Sequence, residues 1–78
     1  MTSTLLAEQS VRAEALFVSL LQPSDVPTAA QIVEAIAASL RSHGGVAGCA
    51  AAVAEEYGEH PDVAVARMRW ALALSALI

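Results

Sequence analysis

Three side chains of this 78-residue chain carry the nitrogen and sulfur donors that transition metals favour: His43, Cys49 and His60. With a carboxylate as the fourth ligand, they would suffice for a tetrahedral zinc site. Their spacing matches no established metal-binding signature. We therefore predict no metal site, and expect His43 near the C-terminal end of a helix, Cys49 in the packed interior and His60 in a turn.

Groups that could carry out catalysis are similarly sparse. Ser24 and Asp25 are adjacent, but a nucleophile also needs a base, and no histidine lies close to them in the sequence. The glycine-rich residues 44–48 precede a predicted helix, whose N-terminal end could bind an anion. No Lys, Ser or Thr follows them, although phosphate-binding loops require these residues. The sequence therefore predicts a protein that is not an enzyme and binds no cofactor.

The charge and composition of the chain limit its partners and its location. The formal net charge is −4, with eight acidic residues, four arginines and no lysine, so the field of the protein repels nucleic acid and anionic membranes. The most apolar stretch, residues 70–78, is under half of the roughly 20 residues that a membrane-spanning helix needs. The N-terminal residues lack the basic region of a signal peptide. Because a single cysteine fits a reducing compartment, we expect a cytoplasmic protein.

Apolar residues at three- and four-residue steps predict an all-α fold, with four helices in one small domain covering residues 1–78. The helices are expected at about residues 5–22, 28–43, 46–57 and 61–77. Ser3 or Thr4 could cap the first helix. The expected buried residues are Leu6, Ala13, Leu16, Phe17, Leu20 and Leu21 in the first helix, Ile32, Val33, Ile36, Ala37 and Leu40 in the second, and Val46, Cys49, Ala50, Val53 and Tyr57 in the third.

Four residues mark the expected ends of these helices. Thr28 and Gln31 have the spacing of a capping box, in which each side chain accepts a hydrogen bond from the backbone of the other. Gly58 is expected to end the third helix, and Pro61 is suited to the first position of the fourth. The sequence thus predicts a compact turn between the third and fourth helices.

Residues 53–71 contain a recognisable combination of small, glycine and arginine positions. Ala54 lies within the third predicted helix, Gly58 follows four positions later, and Arg67, Met68 and Ala71 come near the end of the next apolar stretch. This stretch resembles the helix-turn-helix of sigma-factor region 4 and related regulators. The small residue would permit close contact between the two helices and the glycine a tight turn. The resemblance implies DNA binding, with the fourth helix in the major groove.

The residues that would contact DNA depart from this resemblance. Glu59 follows the glycine where an apolar residue is common, and the start of the fourth helix offers almost no donor to a base or phosphate. Arg67 and Arg69 are the candidates for DNA contacts, but we expect both to pair with acidic residues on neighbouring helices, namely Glu34, Glu55 or Glu56. Nucleic acid is therefore not the expected partner, and a DNA-binding or transcription-associated regulator is the alternative prediction.

The fourth helix is apolar on more sides than a surface helix needs, since Arg67 and Arg69 are its only strongly polar residues after Val63. Such a helix should pack against another apolar surface. We therefore predict a non-enzymatic interaction or regulatory module that forms a homodimer or binds another protein through its first and fourth helices. The expected interface residues are Leu16, Leu20, Met68, Trp70, Leu74 and Leu77.

Overall fold

A computed structural model describes the backbone of residues 2–78 and the side chains of residues 8–78. It contains four α-helices: α1 (Thr2–Phe17), α2 (Ala29–Ser42), α3 (Gly45–Glu59) and α4 (Pro61–Ser75). No strand occurs within residues 2–78, so the predicted all-α fold class is confirmed. Helix α1 packs against each of the other three helices and most extensively against α4. None of the four helices, as described, has the length and apolar composition needed to cross a membrane.

Helix α1 ends at Phe17, whereas the sequence predicted an end near residue 22. Ser19 causes the early end, because its hydroxyl donates to the Leu16 carbonyl at 2.6 Å and its amide donates to the same oxygen at 3.1 Å. Such local side-chain bonds compete with the continuing helix. The helix also begins at Thr2 rather than near Leu5. The capping roles of Ser3 and Thr4 and the burial of Leu6 lie outside the described side chains.

The connection from α1 to α2 is held by two reciprocal pairs of hydrogen bonds. The Gln22 amide donates to Asp25 Oδ2 at 2.8 Å, and the Asp25 amide donates to the Gln22 carbonyl at 2.9 Å. The Thr28 amide then donates to Gln31 Oε1 at 2.8 Å, and the Gln31 amide donates to Thr28 Oγ1 at 3.2 Å. This is the predicted capping box, and helix α2 begins directly after it.

Glycines shape the short turn between α2 and α3. His43 caps α2, as predicted, by donating its amide to the Ser39 carbonyl at 2.9 Å. Gly44 and Gly45 then adopt φ angles of 80° and 86°, in the left-handed region that favours glycine. At Gly48, a Cβ atom would overlap the His43 carbonyl group. The glycine-rich residues 44–48 therefore form a tight turn and a close approach between α2 and α3.

A single residue joins α3 to α4. Helix α3 continues through Gly58 to Glu59, so the prediction that Gly58 ends it was wrong. The end comes at His60, because the proline at position 61 disfavours a helical conformation there. His60 belongs to both helices: its amide donates to the Glu56 carbonyl at 2.7 Å, and its own carbonyl accepts from the Ala64 amide at 2.9 Å. Pro61 occupies the start of α4, as predicted.

The core lies where α1 meets the other three helices. Its buried apolar residues are Ala13, Ala15, Leu16, Phe17, Ile32, Cys49, Val53, Ala64, Ala71 and Leu74. Four are alanines, which let helices approach closely. Phe17 also stacks on Tyr57, with ring centroids 6.1 Å apart, although Tyr57 lies at the edge of the core and stays partly exposed. Val33 and Val46 were expected to be buried, but about half of each is exposed. Val33 is turned about 100° around α2 from the buried Ile32, and Val46 lies in the first turn of α3.

Candidate functional site

An open groove of about 620 Å³ lies between the α1–α2 connection and one side of α2. We call it the α2 groove. Its apolar lining comes from Val18, Leu20, Leu21, Ala35 and Ala38, and polar residues, including Gln31, Glu34, Ser42 and His43, complete it. A predominantly apolar groove of this size falls in the range of sites that bind ligands or partner side chains.

Leu20 is the most unusual member of this groove. It was expected to be buried, but its side chain is 96% exposed, although full burial of a leucine stabilises a protein by roughly 1.5–3 kcal/mol. Its neighbours on either side are fixed, because the carbonyl oxygens of Ser19 and Leu21 both accept hydrogen bonds from Arg67. The chain therefore holds Leu20 outward, at the edge of an apolar groove that it helps to line.

The structure separates the six predicted interface residues into three groups. Leu16 and Leu74 are 0% and 8% exposed and belong to the core of the chain itself, so neither can offer a surface to a partner. Met68 and Trp70 are half-buried and pack against that core. Leu20 and Leu77 are exposed, at 96% and 68%. Leu72 and Ile78 are also substantially exposed, which the sequence did not predict.

Arg67 has a structural role that its sequence position did not reveal. Its Nε donates to the Phe17 carbonyl at 2.9 Å, and one terminal nitrogen donates to the carbonyls of Ser19 and Leu21 at 3.0 and 2.8 Å. The guanidinium also lies 4.1 Å from the centre of the Trp70 ring, within the range of a cation–π interaction. Burial lowers the pKa of Arg67, but a guanidinium stays charged at neutral pH.

These bonds correct the prediction that Arg67 pairs with a carboxylate. Glu34 pairs instead with Arg41 at 3.0 Å, on the surface of α2. Within residues 8–78, Arg69 takes part in no ion pair and is exposed. Of the two candidate DNA contacts, Arg67 is therefore engaged inside the fold, and only Arg69 is free to meet a phosphate.

The three residues weighed as soft metal ligands in the sequence, His43, Cys49 and His60, do not come together. Cys49 is buried, as predicted, and its thiol lies 3.7 Å from the Ser39 carbonyl. Burial, and secondarily the charge of Glu14, raise the pKa of Cys49, so the thiol stays protonated and is a poor nucleophile or metal ligand. His43 is exposed at the end of α2.

Sequence reasoning missed a different cluster at the end of α3. One ligand atom each from Glu56, Glu59 and His60 lies within 4.8 Å of the others, and no other such group of three occurs among the described residues. His60 Nδ1 is 3.2 Å from Glu56 Oε1. Residues spaced by three and four positions share one face of a helix, but the third helix was predicted to end at Gly58, before Glu59 and His60. Neither His43 nor Cys49 belongs to this cluster.

Comparisons with protein-family models, with curated proteins and with solved structures find no match for this chain. No family is therefore assigned to it. The resemblance of residues 53–71 to a helix-turn-helix stays a prediction, and any functional proposal depends on the geometry of the chain itself.

Proposed function

We propose that the protein is a non-enzymatic interaction module that self-associates through the α2 groove. In this arrangement, Leu20 of each copy enters the groove of the other. The observation that carries the proposal is the 96% exposure of Leu20 directly beside an apolar groove. A two-fold interface requires one surface patch that is complementary to itself. A protruding side chain and an adjacent groove on the same patch meet that requirement.

The charges around the α2 groove also favour contact between two identical copies. The chain as a whole carries a net charge of −4, which disfavours self-association. Glu34 is the only acidic residue that lines the groove, and Arg41 pairs with it at 3.0 Å. The approach of a second copy at this surface therefore brings no uncompensated carboxylates together.

The expected dimer is of moderate affinity. Burying Leu20 in both copies contributes roughly 3–6 kcal/mol, from about 1.5–3 kcal/mol for each side chain. Association costs about 4–15 kcal/mol in lost freedom of motion. The remaining apolar lining, which includes Val18, Leu21 and Ala35, must therefore supply the balance. We expect the fraction of dimer to rise as the protein concentration rises.

A second apolar surface is a further candidate for the same function. Leu72, Leu77 and Ile78 are exposed near the C-terminal end of α4. Of the predicted α4 interface residues, Leu77 is exposed and Leu74 is buried in the core, while Leu72 and Ile78 were not predicted to belong to the interface. Self-association through α4 would use the three exposed residues in place of the α2 groove.

Light scattering after size exclusion, over a range of protein concentrations, distinguishes the two surfaces. We expect Leu20→Gln to shift the protein to the monomer and Leu77→Gln to leave it dimeric. Val33→Gln is the matched control, because Val33 is an exposed apolar residue of α2 that does not line the groove. A dimer lost only in Leu77→Gln would transfer the interface to α4. A parent protein that is monomeric at all concentrations would refute self-association.

The cytoplasm is our proposed location for this module. The support comes from Cys49, the single cysteine, which is buried and reduced. A lone buried thiol is typical of proteins from a reducing compartment.

A further inference from the structure

The geometry points to a binding site for a divalent transition-metal ion, of the zinc class, formed by Glu56, Glu59 and His60. This site is separate from the α2 groove and does not depend on the proposed self-association. Glu56 and Glu59 extend from the last turn of α3, and His60 is the residue that joins α3 to α4. Three donors of two chemical types therefore converge where two helices meet.

The distances are close to those of a bound ion. Ligand atoms about 2.1 Å from a tetrahedral zinc ion lie roughly 3.4 Å from one another. His60 Nδ1 and Glu56 Oε1 are already 3.2 Å apart. All three donor atoms lie within 4.8 Å of one another, so a movement of at most about 1.5 Å brings them to the separations of zinc ligands. Their side chains are at least partly exposed and can make this movement without disturbing the core.

The donor set selects the class of metal. One imidazole nitrogen and two carboxylate oxygens suit zinc and its neighbours in the first transition row, whereas magnesium and calcium prefer oxygen ligands alone. Three protein ligands leave at least one coordination position for water.

Neighbouring carboxylates favour a cation at this position. The dipole of α3 adds little, because its negative C-terminal end meets the positive N-terminal end of α4 at His60. Glu55 and Asp62, on either side of the cluster in the sequence, add further negative charge. Within residues 8–78, no arginine forms an ion pair with Glu56 or Glu59, so a metal ion would not have to displace one.

Calorimetric titration of the full chain with zinc chloride at neutral pH tests this site. We expect saturable binding of one ion, and no comparable binding of magnesium. Glu59→Gln should weaken zinc binding by about tenfold or more, as the loss of groups around metal sites commonly does. His60→Gln should do the same, provided that circular dichroism shows an intact fold. In the parent protein, zinc should shift the NMR signals of the His60 ring and leave those of the His43 ring in place.

Two variants control for non-specific binding. Glu55→Gln removes one carboxylate from the same helix outside the cluster, and His43→Gln removes the other histidine. Both should bind zinc within about twofold of the parent protein, since neither residue is a ligand. If either weakens binding as much as Glu59→Gln does, or if the parent shows no saturable binding, the assignment of this site is overturned.

Discussion

The guanidinium of Arg67 supplies hydrogen bonds to backbone carbonyls that the early end of α1 leaves without helical partners. It reaches Phe17, the last residue of α1, and both Ser19 and Leu21 in the connection to α2. Carbonyl groups at a helix end must find donors elsewhere, and a planar guanidinium can serve several at once. One side chain of α4 thus fixes the path of the chain on its way to the α2 groove.

Replacing Arg67 with Ala should therefore reduce stability. Hydrogen bonds to a charged group contribute about 1.5–3 kcal/mol, and we expect a loss of that order in the free energy of unfolding, measured with urea. Arg67→Lys should recover only part of it, because an ammonium group lacks the planar fork that reaches several acceptors. Arg69→Ala is the matched control, since Arg69 is exposed, and should change stability by no more than about 0.5 kcal/mol. Equal losses for both alanine variants would contradict this role.

Among the helices, α2 shows how much local sequence signals can predict. It was expected at residues 28–43 and spans Ala29–Ser42, between the Thr28 cap and the His43 cap. Both caps depend on residues within a few positions of the helix end. At the end of α1, the local bonds of Ser19 are joined by one from Arg67, which is 50 residues away from Phe17 in the sequence. No pattern near residue 17 could show that bond.

Two glycines of α3, Gly48 and Gly58, should respond to substitution in opposite directions. Gly48→Ala places a Cβ against the backbone of His43 and should destabilise the protein by about 1–3 kcal/mol. Gly58→Ala meets open space within a helix and should stabilise the protein by about 0.5–1 kcal/mol. Thermal or urea unfolding of the two variants measures both effects. A stabilising Gly48→Ala would mean that α3 does not approach His43 as described.

The candidate sites also show the difference between features that local sequence predicts and features that depend on the packing of whole helices. Periodicity placed Leu16, Leu20, Leu74 and Leu77 together as apolar interface residues, but it could not show which of them face α1 or α4 within the chain. That division requires the packing of whole helices, and it leaves Leu20 and Leu77 exposed. The cluster at the end of α3 was missed because the predicted end of the helix at Gly58 left Glu59 and His60 in a turn, whereas α3 continues to Glu59.

At the scale of the whole molecule, the titration of Cys49 links stability to pH. Burial, with a smaller contribution from Glu14, raises the pKa of the thiol above its ordinary value of 9.0. The folded protein therefore favours the protonated thiol, and this contribution to stability is complete below the pKa of the unfolded chain. It is lost as the pH rises through the folded pKa, because the unfolded chain ionises first.

We expect the free energy of unfolding of the parent protein to fall more steeply above pH 9.0 than that of Cys49→Ala. Urea unfolding at a series of alkaline pH values measures the difference, and the comparison removes the contributions of groups common to both proteins. Parallel curves for the two proteins would show that the thiol does not ionise more readily on unfolding.

The junction at His60 determines where this protein tolerates a change in length. Each additional residue in a helix turns the rest of that helix by about 100° around its axis. Because α3 and α4 share one capping residue, an insertion there would rotate α4 and carry Arg67 away from the end of α1. At the exposed Val26, which lies between the Gln22–Asp25 hydrogen bonds and the Thr28 cap, an added residue would belong to no helix and would not rotate one about its axis. Insertions and deletions should therefore be tolerated in the connection before α2 and should not be tolerated between α3 and α4.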